Sequence, residues 1–150
     1  IRLWDLAAGK CMSTLTNHKK GVRCLSLNPA EFSFASASAD NIKTWGLPQG
    51  QFMRNLSGHQ SLVNALAVNQ DDVLVSGADD GQFRFWDYRA AHCFQNEATK
   101  VQPGSLESEA GVYALAFDRS GSRLLSCHGD KTIRVWREDD TATESSVPLT

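Results

Sequence analysis

Four tryptophans recur at nearly fixed intervals. Trp4, Trp45, Trp86 and Trp136 are separated by 41, 41 and 50 residues. Each closes a short alternating run that follows a polar turn. Asp130 to Trp136 reads Asp-Lys-Thr-Ile-Arg-Val-Trp, and Asp80 to Trp86 reads Asp-Gly-Gln-Phe-Arg-Phe-Trp. Asp40 to Trp45 reads Asp-Asn-Ile-Lys-Thr-Trp, one residue shorter, and the chain opens inside a further copy, Ile1-Arg2-Leu3-Trp4-Asp5. A basic residue stands two before every Trp: Arg2, Lys43, Arg84 and Arg134. A period near 40 means stacked units, each burying its faces on its neighbours, rather than one irregular core.

Between the tryptophans lie runs of four to seven residues bounded by turn signals, and no window has a helical period. The pattern predicts strands over 10–15, 22–27, 32–38, 42–45, 51–56, 62–68, 73–76, 82–87, 91–95, 111–117, 122–127 and 132–136. Residues 22–27 are mixed apolar and are expected to be buried on both faces. Four antiparallel strands per period, with the Trp strand third, make the blade of a β-propeller. On the Trp strands, Ile133 and Val135 point one way and Arg134 and Trp136 the other. A basic stem beside an indole can then cover it. The fold class is therefore all-β, a partial propeller over 1–137 with an acidic and polar tail over 138–150. Three complete units and the end of a fourth cannot close a ring of roughly four to eight blades. More chain, or a second copy joined edge to edge, is expected to cover the open ends.

Composition removes several functions. The net charge of −2 lacks the strong basic footprint of a dedicated nucleic-acid binder. No apolar run approaches the roughly 20 residues of a membrane span. The four cysteines, Cys11, Cys24, Cys93 and Cys127, have no CxxC spacing. They are expected to be buried free thiols in a reducing compartment. His92-Cys93 and Cys127-His128 do not make a metal site, because adjacent strand residues point to opposite faces. No glycine-rich loop leads from a strand into a helix, so no nucleotide cofactor is expected.

A Gly-His near the start of a unit and Trp-Asp at its end resemble the WD40 family. They stand here as Gly58-His59 with Trp86-Asp87, and as Asn17-His18 with Trp45-Gly46. A four-residue step from Ser to Asp recurs at Ser36 to Asp40, Ser76 to Asp80 and Ser126 to Asp130. The resemblance implies a network inside each blade. Asp accepts from His, His meets the Ser hydroxyl, and Ser accepts the Trp N–H. The candidates are His18, Ser36, Asp40 and Trp45; His59, Ser76, Asp80 and Trp86; and Ser126, Asp130 and Trp136. A Ser/His/Asp trio repeated in more than one unit reads as structural, so no enzyme is expected. Two departures stand out. The third unit has Glu109-Ala110 where Gly-His is expected, which leaves Asp130 without a histidine. The first unit has a shortened turn, which is expected to distort its network.

A narrower resemblance runs through Thr16-Asn17-His18-Lys19-Lys20, through Ser36 to Lys43, through Val101-Gln102-Pro103-Gly104-Ser105-Leu106, and through Arg137 to Glu144. These segments are similar to the pleiotropic regulator 1 family. The resemblance implies a nuclear spliceosome subunit of the nineteen complex, a scaffold with a seven-bladed propeller of which this chain is the C-terminal half. The extra residues of the third interval lie between Gln95 and Gly111, on the face of the Asp turns. Long loops on rigid scaffolds often bind, so Lys100, Val101, Gln102, Pro103 and Leu106 are the expected partner contacts. His18-Lys19-Lys20 with Arg23 is a basic cluster open to a peripheral RNA contact, to an acidic partner or to solvent. Trp86-Asp87-Tyr88-Arg89 resembles the box by which some receptors join a cullin-type ubiquitin ligase through an adaptor. Arg89 is the candidate contact for that alternative role.

Overall fold

The computed structural model describes residues 1–139. The expected tail, 138–150, lies almost wholly outside them. Thirteen strands form four antiparallel sheets among the described residues. The first sheet pairs β1 (Arg2–Asp5) with β2 (Lys10–Thr14). The second runs β3 (Val22–Asn28), β4 (Ser33–Ser38), β5 (Ile42–Gly46) and β6 (Gln51–Leu56) in spatial order. The third runs β7 (Val63–Val68), β8 (Val73–Ala78), β9 (Gln82–Asp87) and β10 (His92–Ala98). The fourth holds β11 (Val112–Phe117), β12 (Arg123–His128) and β13 (Ile133–Arg137). Two sheets are therefore complete four-stranded blades, where three were expected. The third unit shows three strands up to residue 139.

The sheets are stacked through two apolar layers. Ala35, Ala37 and Ile42 of the second sheet pack on Leu66, Leu74 and Trp86 of the third. Ala67, Val75 and Phe83 of the third pack on Val112 and Leu124 of the fourth, with Trp136 against them. The Phe83 and Trp136 rings lie 5.4 Å apart. Strand alternation makes this possible: one face of each sheet carries the Ser–Trp pair toward the preceding sheet, and the other faces the next. Polar contacts tie the same layers at their rim. Asn28 Nδ2 donates to Asp72 Oδ1 at 2.8 Å, and the Ser33 and Tyr88 hydroxyls meet at 2.9 Å.

Strand β3 departs from expectation. Leu25 is 56% and Leu27 70% exposed. They share the face of Ser36 and Trp45, which looks toward a first sheet of only two strands. At the opposite end Leu125, Ile133 and Val135 line one open face of the fourth sheet. Cys11 is also exposed, on β2, whereas Cys24, Cys93 and Cys127 are half-buried and all four are free. Burial pushes the Cys24 thiol up to about 12, which leaves it inert as a nucleophile.

Gly77 marks the closest approach between two sheets. A Cβ there would sit 2.5 Å from Val112 Cγ1. Gly77→Ala should lower stability by about 1–3 kcal/mol through overpacking. Adding Val112→Ala should return part of that loss, read as the coupling in a urea-denaturation double-mutant cycle.

Candidate functional site

The turns between second and third strands, and the loops that pack on them, gather the polar residues of each sheet. In the second sheet the network is closed. Trp45 Nε1 donates to Ser36 Oγ at 2.8 Å, His18 Nε2 meets that hydroxyl at 2.7 Å, and His18 Nδ1 meets Asp40 Oδ1 at 3.0 Å. The Lys19 amide donates to the second Asp40 oxygen at 3.0 Å. Burial disfavours the Asp40 charge, but the bonds from the Lys19 amide and the His18 ring outweigh it and hold the carboxyl well below its usual range. The shortened turn does not distort this network, because Asp40 still reaches a loop whose entry residue is tied to it.

The third sheet differs in the opposite sense. Trp86 Nε1 donates to Ser76 Oγ at 2.8 Å and His59 Nε2 meets it at 2.6 Å. Asp80, however, accepts only the Gln82 amide at 3.1 Å, and the buried His59 Nδ1 has no hydrogen-bond partner. Burial, with the Arg84 charge beside it, pushes His59 down to about 4 against the pull of Asp80. The unit with the fullest WD40 motif is thus the one whose Asp–His link is open. The Asp80–Gly81 turn is held elsewhere: the Thr99 amide and hydroxyl both donate to the Gly81 carbonyl at 3.0 Å.

In the fourth sheet Trp136 Nε1 donates to Ser126 Oγ at 2.7 Å, and the imidazole that meets this serine belongs to His128, at 2.8 Å. His128 lies two residues along the same strand, so it shares the serine's face. Asp130 is satisfied without a histidine. It accepts from the Thr132 hydroxyl, the Gln102 amide at 3.0 Å and Arg134 Nη2 at 2.7 Å. The Thr132 bond above all holds its pKa down at about 2, burial opposing and the Gln102 amide and Arg134 assisting. The Gln102 amide stands where the Lys19 amide stands in the second sheet. Lys100-Val101 is therefore the spatial counterpart of Asn17-His18, and the expected alignment at Glu109-Ala110 is corrected. The extra residues enter after the docking point, which spacing alone does not reveal.

The long loop is anchored. Besides the Gln102 amide, its side chain donates to the Asp130 carbonyl at 2.8 Å, and Arg134 Nη2 donates to the Lys100 carbonyl at 2.7 Å. Gln102 to Ser105 forms a turn with Pro103 second and Gly104 third, at φ 90°; only glycine takes that conformation readily. A 3₁₀ turn, Glu107–Glu109, follows, and Glu109 Oε2 accepts the Leu106 amide at 3.1 Å. Of the five expected contacts, Gln102 is spent on Asp130 and the Lys100 backbone on Arg134. Val101 is half-buried, while Pro103 and Leu106 stand exposed.

Arg89 is engaged as well. Its Nε lies 2.9 Å from Asp72 and 3.2 Å from Glu31 of the neighbouring sheet. The basic residues before the tryptophans do not serve one purpose: Lys43 Nζ donates to Asn55 and lies 5.3 Å above Phe52, whereas Arg134 pairs with Asp130. Among the described residues no group of three His, Cys, Asp or Glu side chains could hold a metal.

A family model described as the nucleolar protein 10-like N-terminal domain, a β-propeller, matches residues 7–136. The chain is 55% identical over 142 residues to protein pleiotropic regulator PRL2 of Arabidopsis thaliana, covering 94% of this chain and 30% of that protein. It is 58% identical over 123 residues to pleiotropic regulator 1 of Homo sapiens, covering 82% and 24%. It is 46% identical over 142 residues to pre-mRNA-splicing factor PRP46 of Candida glabrata, covering 94% and 33%. The chain thus spans between a quarter and a third of the length of these relatives.

Two outcomes follow for the networks. Ser36→Ala leaves the buried Trp45 N–H and the His18 ring without their shared partner and should cost about 1–3 kcal/mol in denaturant unfolding. His59 binds its proton more weakly folded, at about 4, than unfolded, at 6.5. Between those values the unfolded chain holds more protons, so stability falls as pH drops from 6.5 towards 4 and levels below. His59→Gln should flatten that limb of a melting-temperature profile.

Proposed function

The chain belongs to the WD40-type β-propeller family, and from that premise we propose that it is propeller sequence of a splicing scaffold of the pleiotropic regulator 1 and PRP46 kind. The observation that carries this is identity of 46–59% to proteins with those names. The reading includes action in the nucleus, within the nineteen complex of the spliceosome, by holding partner proteins and without catalysis. Its support in the site is chemical. The Ser/His pairs, which a hydrolase would aim at substrate, are turned inward on indoles. In this reading the open faces at Leu25 and Leu27 and at Ile133 and Val135 are covered by further blades, and these sheets form the C-terminal half of a seven-bladed ring. The family model, itself described as an N-terminal domain, adds nothing to that last placement. Edge-to-edge pairing of two copies is the other way to cover the same faces.

The ligase-receptor reading of Trp86-Asp87-Tyr88-Arg89 has no support among the relatives, whose names speak of pleiotropic regulation and splicing. In the structure Arg89 braces two sheets.

The partner contact we favour is the exposed part of the long loop, with Pro103 and Leu106 at its tip and the Lys100 and Val101 side chains beside them. Leu106 is 69% exposed on a loop whose stems are hydrogen-bonded into two sheets. Those anchors restrain the loop's stems, which lowers the ordering cost of docking on it. Leu106→Glu in the full-length protein should leave thermal stability unchanged and reduce recovery of spliceosomal proteins at least several-fold in a quantitative pull-down. Undiminished recovery would remove the loop from the interface.

A further inference from the structure

Strands β3, β7 and β11 lie side by side as the innermost strands of consecutive sheets. Each carries a bulge at the same place. Pairing slips between Val22 and Cys24 in β3, between Val63 and Ala65 in β7, and between Val112 and Ala114 in β11. The extra residues are Arg23, Asn64 and Tyr113. A bulge takes a residue out of the ladder and re-aims its side chain, and bulges concentrate beside binding sites. Three adjacent sheets therefore present a guanidinium, an amide and a phenol ring at the same end of neighbouring strands. Lys19 and Lys20 stand at that end too, in the loop that enters β3.

Lys19, Lys20 and Arg23 are exposed, and none is in an ion pair among the described residues. The nearby turn carboxylates are mostly used internally: Asp40 by His18 and the Lys19 amide, Asp79 by Asn64 Nδ2 at 3.2 Å. Asp80 accepts the Gln82 amide at 3.1 Å. Asn64 Nδ2 also donates to the Val112 carbonyl at 3.3 Å, which leaves its Oδ1 as a free acceptor. Tyr113 is 57% exposed, yet its ring is supported from below. A Cβ at Gly111 would lie 3.4 Å from its Cε1, and one at Gly129 would lie 3.1 Å from its hydroxyl. The two glycine backbones, joined by a 2.9 Å hydrogen bond, form the floor on which the ring rests.

We infer that this end of the inner strands binds a short single-stranded RNA segment. Lys19, Lys20 and Arg23 meet the phosphates, a base stacks on Tyr113, and the Asn64 Oδ1 accepts from a base amino group. Cations that follow a backbone beside an aromatic platform are the usual means of holding single strands. The sequence has no aromatic residue near the lysines; the fold places Tyr113 at the same end of the inner strands, one sheet beyond β7. An acidic peptide would use the three cations and leave Tyr113 idle. Three cations limit the footprint to a few phosphates. The inference draws on the proposed splicing role only for where RNA would be met.

The test is fluorescence anisotropy of the full-length protein with a labelled oligouridylate of about ten nucleotides, over a range of salt. Joint Lys19→Ala, Lys20→Ala and Arg23→Ala should weaken binding at least tenfold and reduce the salt slope by about two, from three lost phosphate contacts. Tyr113→Ala should weaken it about 5- to 100-fold at every salt concentration. Both variants should melt at the parent temperature, since the Lys19 bond to Asp40 is made by the backbone amide, which alanine keeps, and the other side chains take no part in the Trp–Ser–His networks. Unchanged affinity in either variant overturns the inference. So does equal competition by a polyglutamate peptide together with an indifferent Tyr113→Ala, which assigns the surface to an acidic protein segment. Partner recovery in the Leu106→Glu pull-down is a separate readout, so the scaffold reading and this one fail independently.

Discussion

A serine hydroxyl buried between an indole N–H and an imidazole nitrogen recurs in all three of the larger sheets. The indole joins the apolar layer between a blade and the one before it, but its N–H cannot enter that layer unpaired without a cost of a few kcal/mol. Ser36, Ser76 and Ser126 accept it, on the strand next to the Trp, at 2.7–2.8 Å. The serine in turn meets a histidine, which in two of the sheets arrives from the loop that crosses the blade top. Everything else in the sheet can vary around this contact.

The variation is informative. Three sheets meet the same requirement with three wirings: a closed chain to Asp40, an open one beside Asp80, and a local histidine, His128, that frees Asp130 to hold a loop. In the last case the aspartate serves the insertion. A loop without a histidine could not close the usual chain, so its backbone amide and Gln102 side chain take the carboxylate and the carbonyl beyond it. The insertion is thereby fastened to one sheet at Asp130 and to its neighbour at Gly81. A stack joined mainly through apolar layers gains a polar strap across two of its units. Arg89, Asp72 and Glu31 make a comparable brace one sheet earlier.

Much of this was visible before any coordinates. The expected strands agree with the observed ones to within one to three residues, because turn chemistry and alternation act locally. The Ser and Trp of each network could be paired from their spacing, since both lie in adjacent strands joined by a turn of nearly constant length. The histidines could not be assigned so safely. They arrive from a loop, and a loop of different length shifts the count without shifting the docking point. Spacing therefore does not mark Val101 as the counterpart of His18, and nothing in the repeat pattern marks His128 as the partner of Ser126. The exposed Leu25 and Leu27 were expected to be covered, as their composition warrants; what lies opposite them is a property of the neighbouring sheet.

The recurrence of tryptophan near every fortieth residue, with serine and aspartate at nearly constant steps before it, is sufficient to determine an all-β stack and the alternation of faces on the Trp strands. Those relations lie within one hairpin or one unit, where covalent geometry leaves few alternatives. Which carboxylate meets which ring, where the long loop is tied, and which side chains gather at the ends of the inner strands were decided by tertiary structure alone. They depend on distances between units, and a one-residue bulge or a loop's docking angle changes them while the sequence pattern stays the same.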